Sequence, residues 1–360
     1  MQNNYCLLFK TGDAELRCLG NTSDASLRKI FPIIEITRGR KLKGVEKYPI
    51  ENRLNKIYDI FSDQPLCLDI TSHHSLLSDE IKELFNPANG YKKWIEFIRE
   101  VKTKGRYSNI IPCIQSNFND DDFVKNYTSQ ITSLIYEHNR IAYRSSLKED
   151  GYYDDIEIIA PLLTTQEQLV FIIDCEYLPS GSWHAFAEKA IARINNVYAM
   201  LKEKVIFIIC STSFPNNVGE IGNDDKDTFR IIEMDLFEEI KKKIGDKVNI
   251  IYGDYGSISP KRNDDIVMAH GWIPRIDVPT ENEIYYVRER RTLARDYART
   301  YSYVANKVIA DSRFPTKFAC WGIDQIKVSA SGGAPGSSPS FWISVRMNIH
   351  LTQQIIRLSR

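Results

Sequence analysis

Eight short apolar runs, each ending in a charged or hydroxylic residue, constrain this chain more than any other feature of it. They read PIIEI at 32–36, LCLDI at 66–70, IIPCIQS at 110–116, RIAYRSS at 140–146, VFIIDCE at 170–176, VIFIICSTS at 205–213, NIIYGDYG at 249–256 and WIPRID at 272–277. Strands that stay apolar along their whole length are buried on both faces, as in a parallel sheet covered by helices. Helix-like stretches separate most of the runs, and eight such repeats imply closure into a barrel. The expected fold is α/β, a TIM-like (β/α)8 barrel over 30–290. A strand–helix piece precedes it at 1–29. A C-terminal extension follows at 291–360, with a helix, a Gly/Ser/Pro-rich loop and a terminal strand–helix.

Helical spacing supports the alternation. Leu54, Ile57, Tyr58 and Phe61 form one stripe, and Phe123, Tyr127, Ile131 and Ile135 form another. Helices are also expected at 183–203 and at 226–244, the latter stopped by Gly245. The stretch 283–309 reads as one long Arg-rich helix. The weakest connection is the short one between Asp254 and Trp272, which leaves little room for a crossover.

Composition narrows the function classes. The 360 residues are 43% hydrophobic and 26% charged, and Lys plus Arg (47) equals Asp plus Glu (47), so no global charge draws the chain to nucleic acid or to an anionic membrane. The seven cysteines form no CxxC pair, which gives a zinc site or a disulfide framework no support. No basic segment followed by a long apolar stretch opens the sequence, and no run approaches about 18 apolar residues. A soluble cytoplasmic protein is expected.

Barrel chemistry gathers at the C-terminal ends of the strands. The residues expected there are Glu35, Asp69, Gln115, Arg144, Asp174, Glu176, Ser211, Ser213, Asp254 and Arg275. Glu35, Asp69, Asp174 and Asp254 are the candidate catalytic groups. Asp69, Asp174 and Asp254 are candidate ligands for Mg²⁺, which would polarise a phosphoryl group. Alternatively each acid pairs with Lys10, Arg38, Arg144 or Arg275 in a structural ring. Lys10, Arg144, Ser213, Tyr255 and Arg275 are the candidate ligand-binding residues, since guanidinium forks suit a phosphate or carboxylate such as that of a nucleotide.

Other features are weaker. No Gly-x-Ser-x-Gly elbow surrounds Ser211 or Ser213, and a serine nucleophile would need His270 or His350 brought close by folding. His73 and His74 follow the second run, and a surface pair is the plain reading. Gly332–Gly336 lacks the Lys-Ser/Thr ending of a phosphate loop, leaving a flap or a linker. Arg288, Arg290, Arg291, Arg295 and Arg299, interleaved with Tyr285, Tyr286, Tyr297, Tyr301 and Tyr303, could touch a nucleic-acid backbone. Packing on the barrel or on a partner protein is the competing use of that stripe.

Several phrases together carry a family resemblance. Tyr5, Lys10 and Glu15 followed by Pro32-Ile33-Ile34-Glu35, then Leu68-Asp69-Ile70, Ser213-Phe214-Pro215, Gly253-Asp254-Tyr255-Gly256, and Trp342 before His350, resemble the phage beta protein family in order and in extent. Where two adjacent histidines are expected near the end, this chain has Asn348-Ile349-His350. The resemblance implies a part in phage–host conflict, as partner or restrainer of a toxic effector, and brings no assigned catalytic residue. Two functions therefore stand as expectations. One is a component of a phage-encoded or bacterial anti-phage module. It would bind and regulate a protein partner from the same operon, with a small anionic ligand at the barrel mouth. The other is a metal-assisted phosphodiester or nucleotide hydrolase. A nucleic-acid partner is the lesser option, and no membrane is involved.

Overall fold

The computed structural model describes residues 4–45, 47–220, 224–261, 271–291 and 296–359. Its strands are β1 (Tyr5–Lys10), β2 (Phe31–Ile36), β3 (Leu66–Ile70), β4 (Ile110–Pro112), β5 (Ile141–Ser146), β6 (Leu169–Tyr177), β7 (Val205–Thr212), β8 (Lys226–Arg230), β9 (Ile250–Asp254), β10 (Arg275–Pro279) and β11 (Glu283–Arg288). Its helices are α1 (Asp13–Gly20), α2 (Asp24–Leu27), α3 (Glu51–Ile60), α4 (Asp79–Leu84), α5 (Ala88–Lys104), α6 (Phe123–Glu137), α7 (Tyr152–Ile159), α8 (Trp183–Leu201), α9 (Glu233–Ile244), α10 (Tyr297–Ile309), α11 (Trp321–Ala330) and α12 (Pro339–Leu358).

Eight parallel strands run in the order β4-β3-β2-β1-β9-β7-β6-β5. A parallel bridge between Cys113 and Ala142, with Ile114 N donating to Ala142 O at 2.8 Å, joins the two edges and closes the barrel. Side chains of alternate residues fill the interior, among them Cys6, Leu8, Ile33, Cys67, Ile111, Ala142, Ile172, Ile208 and Ile251. Their neighbours along each strand, such as Leu7, Ile34, Leu68, Phe171 and Phe207, point outward under the helices.

The eighth barrel strand differs from the sequence expectation. Tyr5–Lys10, assigned to the N-terminal piece, pairs in parallel with both β2 and β9 and is the first barrel strand. Arg275–Asp277, assigned as the eighth, lies in a separate antiparallel sheet of order β10-β11-β8. The reason is the residue pattern. YCLLFK is apolar almost throughout, as a strand buried on two faces requires. Arg275, Ile276, Asp277 and Val278 alternate, and only Ile276 and Val278 enter an apolar core.

Three helix expectations also change. Among the described residues of 283–309 only Tyr297–Ile309 is helical, because β-favouring Ile284, Tyr285, Tyr286 and Val287 pair with β8 and β10. Of 226–244 only Glu233–Ile244 is helical, since Lys226–Arg230 edges the small sheet. The expected last strand and helix form one helix, α12, capped by the Ser338 side chain accepting from Phe341 N.

Helix α12 occupies the place of the last barrel helix, packing against α1 and β1. Met347, Leu351 and Ile355 join the core outside the barrel, while Trp342, Val345 and Ile349 join a second core with α10, α11 and the small sheet. Between these two apolar stripes run Arg346, His350 and Gln354, at spacing i, i+4, i+8 and only 4%, 1% and 1% exposed. A helix covered on both flanks places even its polar seam in the interior.

Candidate functional site

The C-terminal mouth of the barrel holds a ring built on Arg144. Lys10 of β1, Glu35 of β2 and Asp69 of β3 are the last inward-facing positions of their strands and lie in register. Arg144 of β5 starts one inward position below Ser146, the register partner of Asp174 of β6, and its long side chain reaches up to the acids. Arg144 Nε and Nη2 both donate to Asp174 Oδ2, at 2.9 and 2.7 Å. Its Nη1 donates to Glu35 Oε2 at 2.8 Å and to Asp69 Oδ2 at 3.1 Å. Tyr255, the next inward residue after β9, donates to Asp174 Oδ1 at 2.6 Å and accepts from Arg144 Nη2 at 3.2 Å. Gln115 Nε2 supplies a bond to Asp69 Oδ1 at 3.1 Å. Lys10 Nζ lies 3.4 Å from Glu35 Oε1 and donates to Pro260 O at 2.8 Å.

The ring's electrostatics follow from that geometry. Burial pushes the Glu35 carboxyl up, but Lys10 and Arg144, with hydrogen bonds from Arg144 and Thr71, outweigh it and hold the group at about 2. Asp69 goes the other way. Burial raises it, the Glu35 charge adds to the rise, and Arg144 only partly offsets both. Burial works against the Arg144 charge, yet Asp174, Tyr255, Glu35 and Asp69 together raise it well above its ordinary value. The arginine is therefore permanently charged and is the hub on which three carboxylates converge.

Such a hub leaves no place for a cation. The guanidinium stands at the point that Glu35, Asp69 and Asp174 share, where Mg²⁺ would have to sit, so these residues do not fit a divalent metal site. Among the described residues no three His, Cys, Asp or Glu side chains are grouped so as to hold one. With three carboxylates around two cations, the mouth also offers an incoming anion no unpaired positive charge.

Four residues expected at the mouth lie elsewhere, the first being Ser211, buried and in register with Asp254. Asp254 points outward, its register partner being Leu7 of the outer core, and is wholly buried. It accepts from Tyr5 Oη at 2.8 Å, Tyr252 Oη at 2.9 Å and Gly256 N at 2.8 Å, and it contacts His350 Nε2 at 2.8 Å. Ser213 is held by Glu233, which accepts from its backbone N at 2.6 Å and from its hydroxyl. Arg275 pairs with Asp277 at 2.6 Å and stacks 3.6 Å from the Tyr286 ring centroid in the small sheet. Glu176 sits at the rim, accepting from Lys148 at 2.8 Å and Ser146 at 3.0 Å.

Asp254, Ser213 and Arg275 belong to a second polar cluster, between barrel and α12, that the sequence reading did not assemble. Arg346 donates to Asp277 Oδ2 at 3.1 Å and Ser257 O at 3.0 Å and lies 3.5 Å from the Phe214 ring centroid. Burial lowers it to about 10. His350 Nδ1 lies 3.4 Å from Ser257 Oγ. Burial opposes the imidazolium, but Asp254 and then Glu233 outweigh it and raise His350. Ser257, His350 and Asp254 are at most 2% exposed, so their Ser–His–Asp order has no path to a substrate. The signal for the cluster was the charged spacing Arg346–His350 inside an apolar helix.

The remaining expectations can be placed as well. His73 bonds Ser75 at 3.0 Å and His74 is exposed. Gly336 O accepts from Trp342 Nε1 at 3.0 Å, tying the Gly-rich loop to α12. The Arg stripe is not on one helix. Arg288 ends β11, Arg290 and Arg291 follow it, and Arg299 is in α10, while Tyr285, Tyr286 and Tyr301 are buried. His270 and Arg295 lie outside the described residues. No described helix is long and apolar enough to cross a membrane.

A TIM-like barrel with an arginine–carboxylate ring at its mouth, a helical cap and a small antiparallel sheet is the class that fold and site define. The Beta protein family profile matches residues 5–356, and the chain belongs to that family. Protein beta of Enterobacteria phage P4 is 29% identical over 354 residues, spanning 98% of this chain and 93% of that one. Among solved structures, the spore cortex-lytic enzyme SleL of Bacillus megaterium QM B1551 is similar at 10% identity, over 85% of this chain and 68% of that one, with a TM-score of 0.36. A chitinase from Chromobacterium violaceum ATCC 12472 is similar at 10% identity, over 96% and 99%, with a TM-score of 0.30. Neither likeness carries an argument about activity.

Proposed function

We propose that this protein is a regulatory component of a phage-encoded or bacterial anti-phage module, acting in the cytoplasm by binding and restraining an effector protein encoded beside it. The observation that carries the reading is the Arg144 clamp. At the end of the barrel where chemistry resides, a guanidinium is bonded to Glu35, Asp69 and Asp174, so the carboxylates serve the fold and not a substrate. Kinship with a phage protein supports the setting. The ring gives the hydrolase alternative no open coordination position, and it gives an anion at the mouth no free cation.

The test is co-expression with the products of the adjacent genes. A stoichiometric complex on size exclusion is expected, together with relief of the partner's toxicity, and both should survive Asp174→Asn in protein verified as folded. Failure of every neighbour to bind or to change in toxicity overturns the reading. Mg²⁺-dependent hydrolysis of a nucleotide or phosphodiester that Asp174→Asn abolishes would put the hydrolase in its place.

A further inference from the structure

The polar seam of α12 is satisfied at two of its three positions. Arg346 has Asp277 and His350 has Asp254, but the Oε1 of Gln354 is buried and accepts no hydrogen bond. The Oε1 of Gln353 beside it is in the same condition. Both residues line a cleft of about 370 Å³ between the end of α12, the β10–β11 turn and the segment joining α10 to α11. Buried carbonyl oxygens normally have a donor, so two neighbouring exceptions on one cleft wall call for one. The terminal amide torsion of glutamine is broad and soft, so either group can turn toward the cleft.

We propose that this cleft binds a mononucleotide. Its volume lies within the range of small-ligand pockets. Phe314, buried in the second core, and the half-buried Phe318 give the lining an apolar wall for a base to rest on, and a carboxamide matches the paired donor and acceptor of a base edge. At the rim, Lys317 makes no ion pair among the described residues, and Arg357 Nη1 donates to a carbonyl, Glu281 O, at 3.1 Å. These cations are available to a phosphate, whereas those at the barrel mouth are spent on Glu35, Asp69 and Asp174. The Glu281 carboxylate at the rim is a counterweight that favours one phosphate over a long polyanion. The site stands apart from the partner-binding reading and does not depend on it.

The experiment is calorimetric titration of the whole protein with AMP, GMP, CMP and UMP, beside adenosine and inorganic phosphate alone. At least one nucleotide should bind in the micromolar to submillimolar range, with its nucleoside and phosphate each about tenfold weaker or worse. Gln354→Leu removes an oxygen that has no partner, so it should keep the melting temperature while weakening the nucleotide about tenfold or more. Lys317→Gln with Arg357→Gln, both at the rim, should reduce the nucleotide to the level of its nucleoside and remove the salt dependence of binding. No heat from any nucleotide up to about 5 mM, a reach that covers the weakest physiological ligands, would overturn the proposal. Binding that ignores both sets of substitutions would overturn it equally and send the search to another surface.

Discussion

Replacing Arg144 with Met tests the ring most directly. The substitution keeps the length and packing of the side chain and removes one charge, leaving Glu35, Asp69 and Asp174 facing each other at 4%, 9% and 5% exposure. Breaking a buried ion pair from one side costs about 3–5 kcal/mol, because the remaining charge stays buried. The Glu35 carboxyl gives an independent scale. Holding it at about 2 rather than 4.5 corresponds to about 3 kcal/mol, shared between Lys10 and Arg144. A group depressed in the folded state contributes stability above its ordinary value and loses it as the pH falls toward the folded one. The gap between wild type and Arg144→Met should therefore be widest near neutrality and narrow by up to about 2 kcal/mol on going from pH 7 to 3. In urea, with a slope of about 3 kcal/mol per M, the midpoint should drop by about 1–2 M at pH 7. Adding Glu35→Gln, Asp69→Asn and Asp174→Asn to Arg144→Met should recover much of the loss, since neutral neighbours no longer repel. A shift under about 0.3 M, or one that is the same at both pH values, would refute a structural clamp.

Arg346→Met leaves Asp277 its Arg275 partner but removes the donor to Asp277 Oδ2 and to the Ser257 carbonyl, so it should cost about 1–3 kcal/mol and speed proteolysis of the small sheet before that of the barrel. His350 is raised in the folded state, so its ion pair contributes fully below about 6.5 and is lost as the pH rises through the folded value. The penalty of His350→Gln in urea should then be larger at pH 6 than at pH 9, and equal penalties would remove the charge from the account. Gly256 has φ +62°, and a Cβ there would meet Met347 Cε at 3.0 Å and Leu7 Cδ1 at 3.2 Å. Gly256→Ala should lower stability by about 1–3 kcal/mol through strain and overpacking, read from the same denaturation curves.

The ring was legible because a strand buried on both faces announces its end with its first charged residues, and Glu35, Asp69, Arg144 and Asp174 are such endings. The parity of those endings was not legible. In Gly253-Asp254-Tyr255, one residue decides which side chain enters the barrel, and an all-apolar strand carries no alternation to fix it. Tyr255 went in and Asp254 went out. Arg275 misled for the opposite reason, since its run does alternate and so marks a one-faced sheet. The partners of the displaced residues lay far off in sequence, with His350 96 residues beyond Asp254. Spacing along α12 shows that Arg346, His350 and Gln354 share a face, but nothing local shows that both flanks of that face are covered.

The placement of α12 sets a timetable for biosynthesis. β1 emerges early, yet its second neighbour in the barrel is β9, and the Tyr5–Asp254 bond spans 249 residues. At about 5–20 residues per second a ribosome takes about 12–50 s to deliver that partner. The helix that covers Asp254 follows about 5–20 s later, the His350 contact spanning 96 residues more. Throughout that interval Tyr5, Tyr252 and the Asp254 carboxylate lie on an open wall, attractive to chaperones and to unwanted neighbours. A message cut short before α12 would yield a chain with all eight barrel strands and the wall around Asp254 left uncovered.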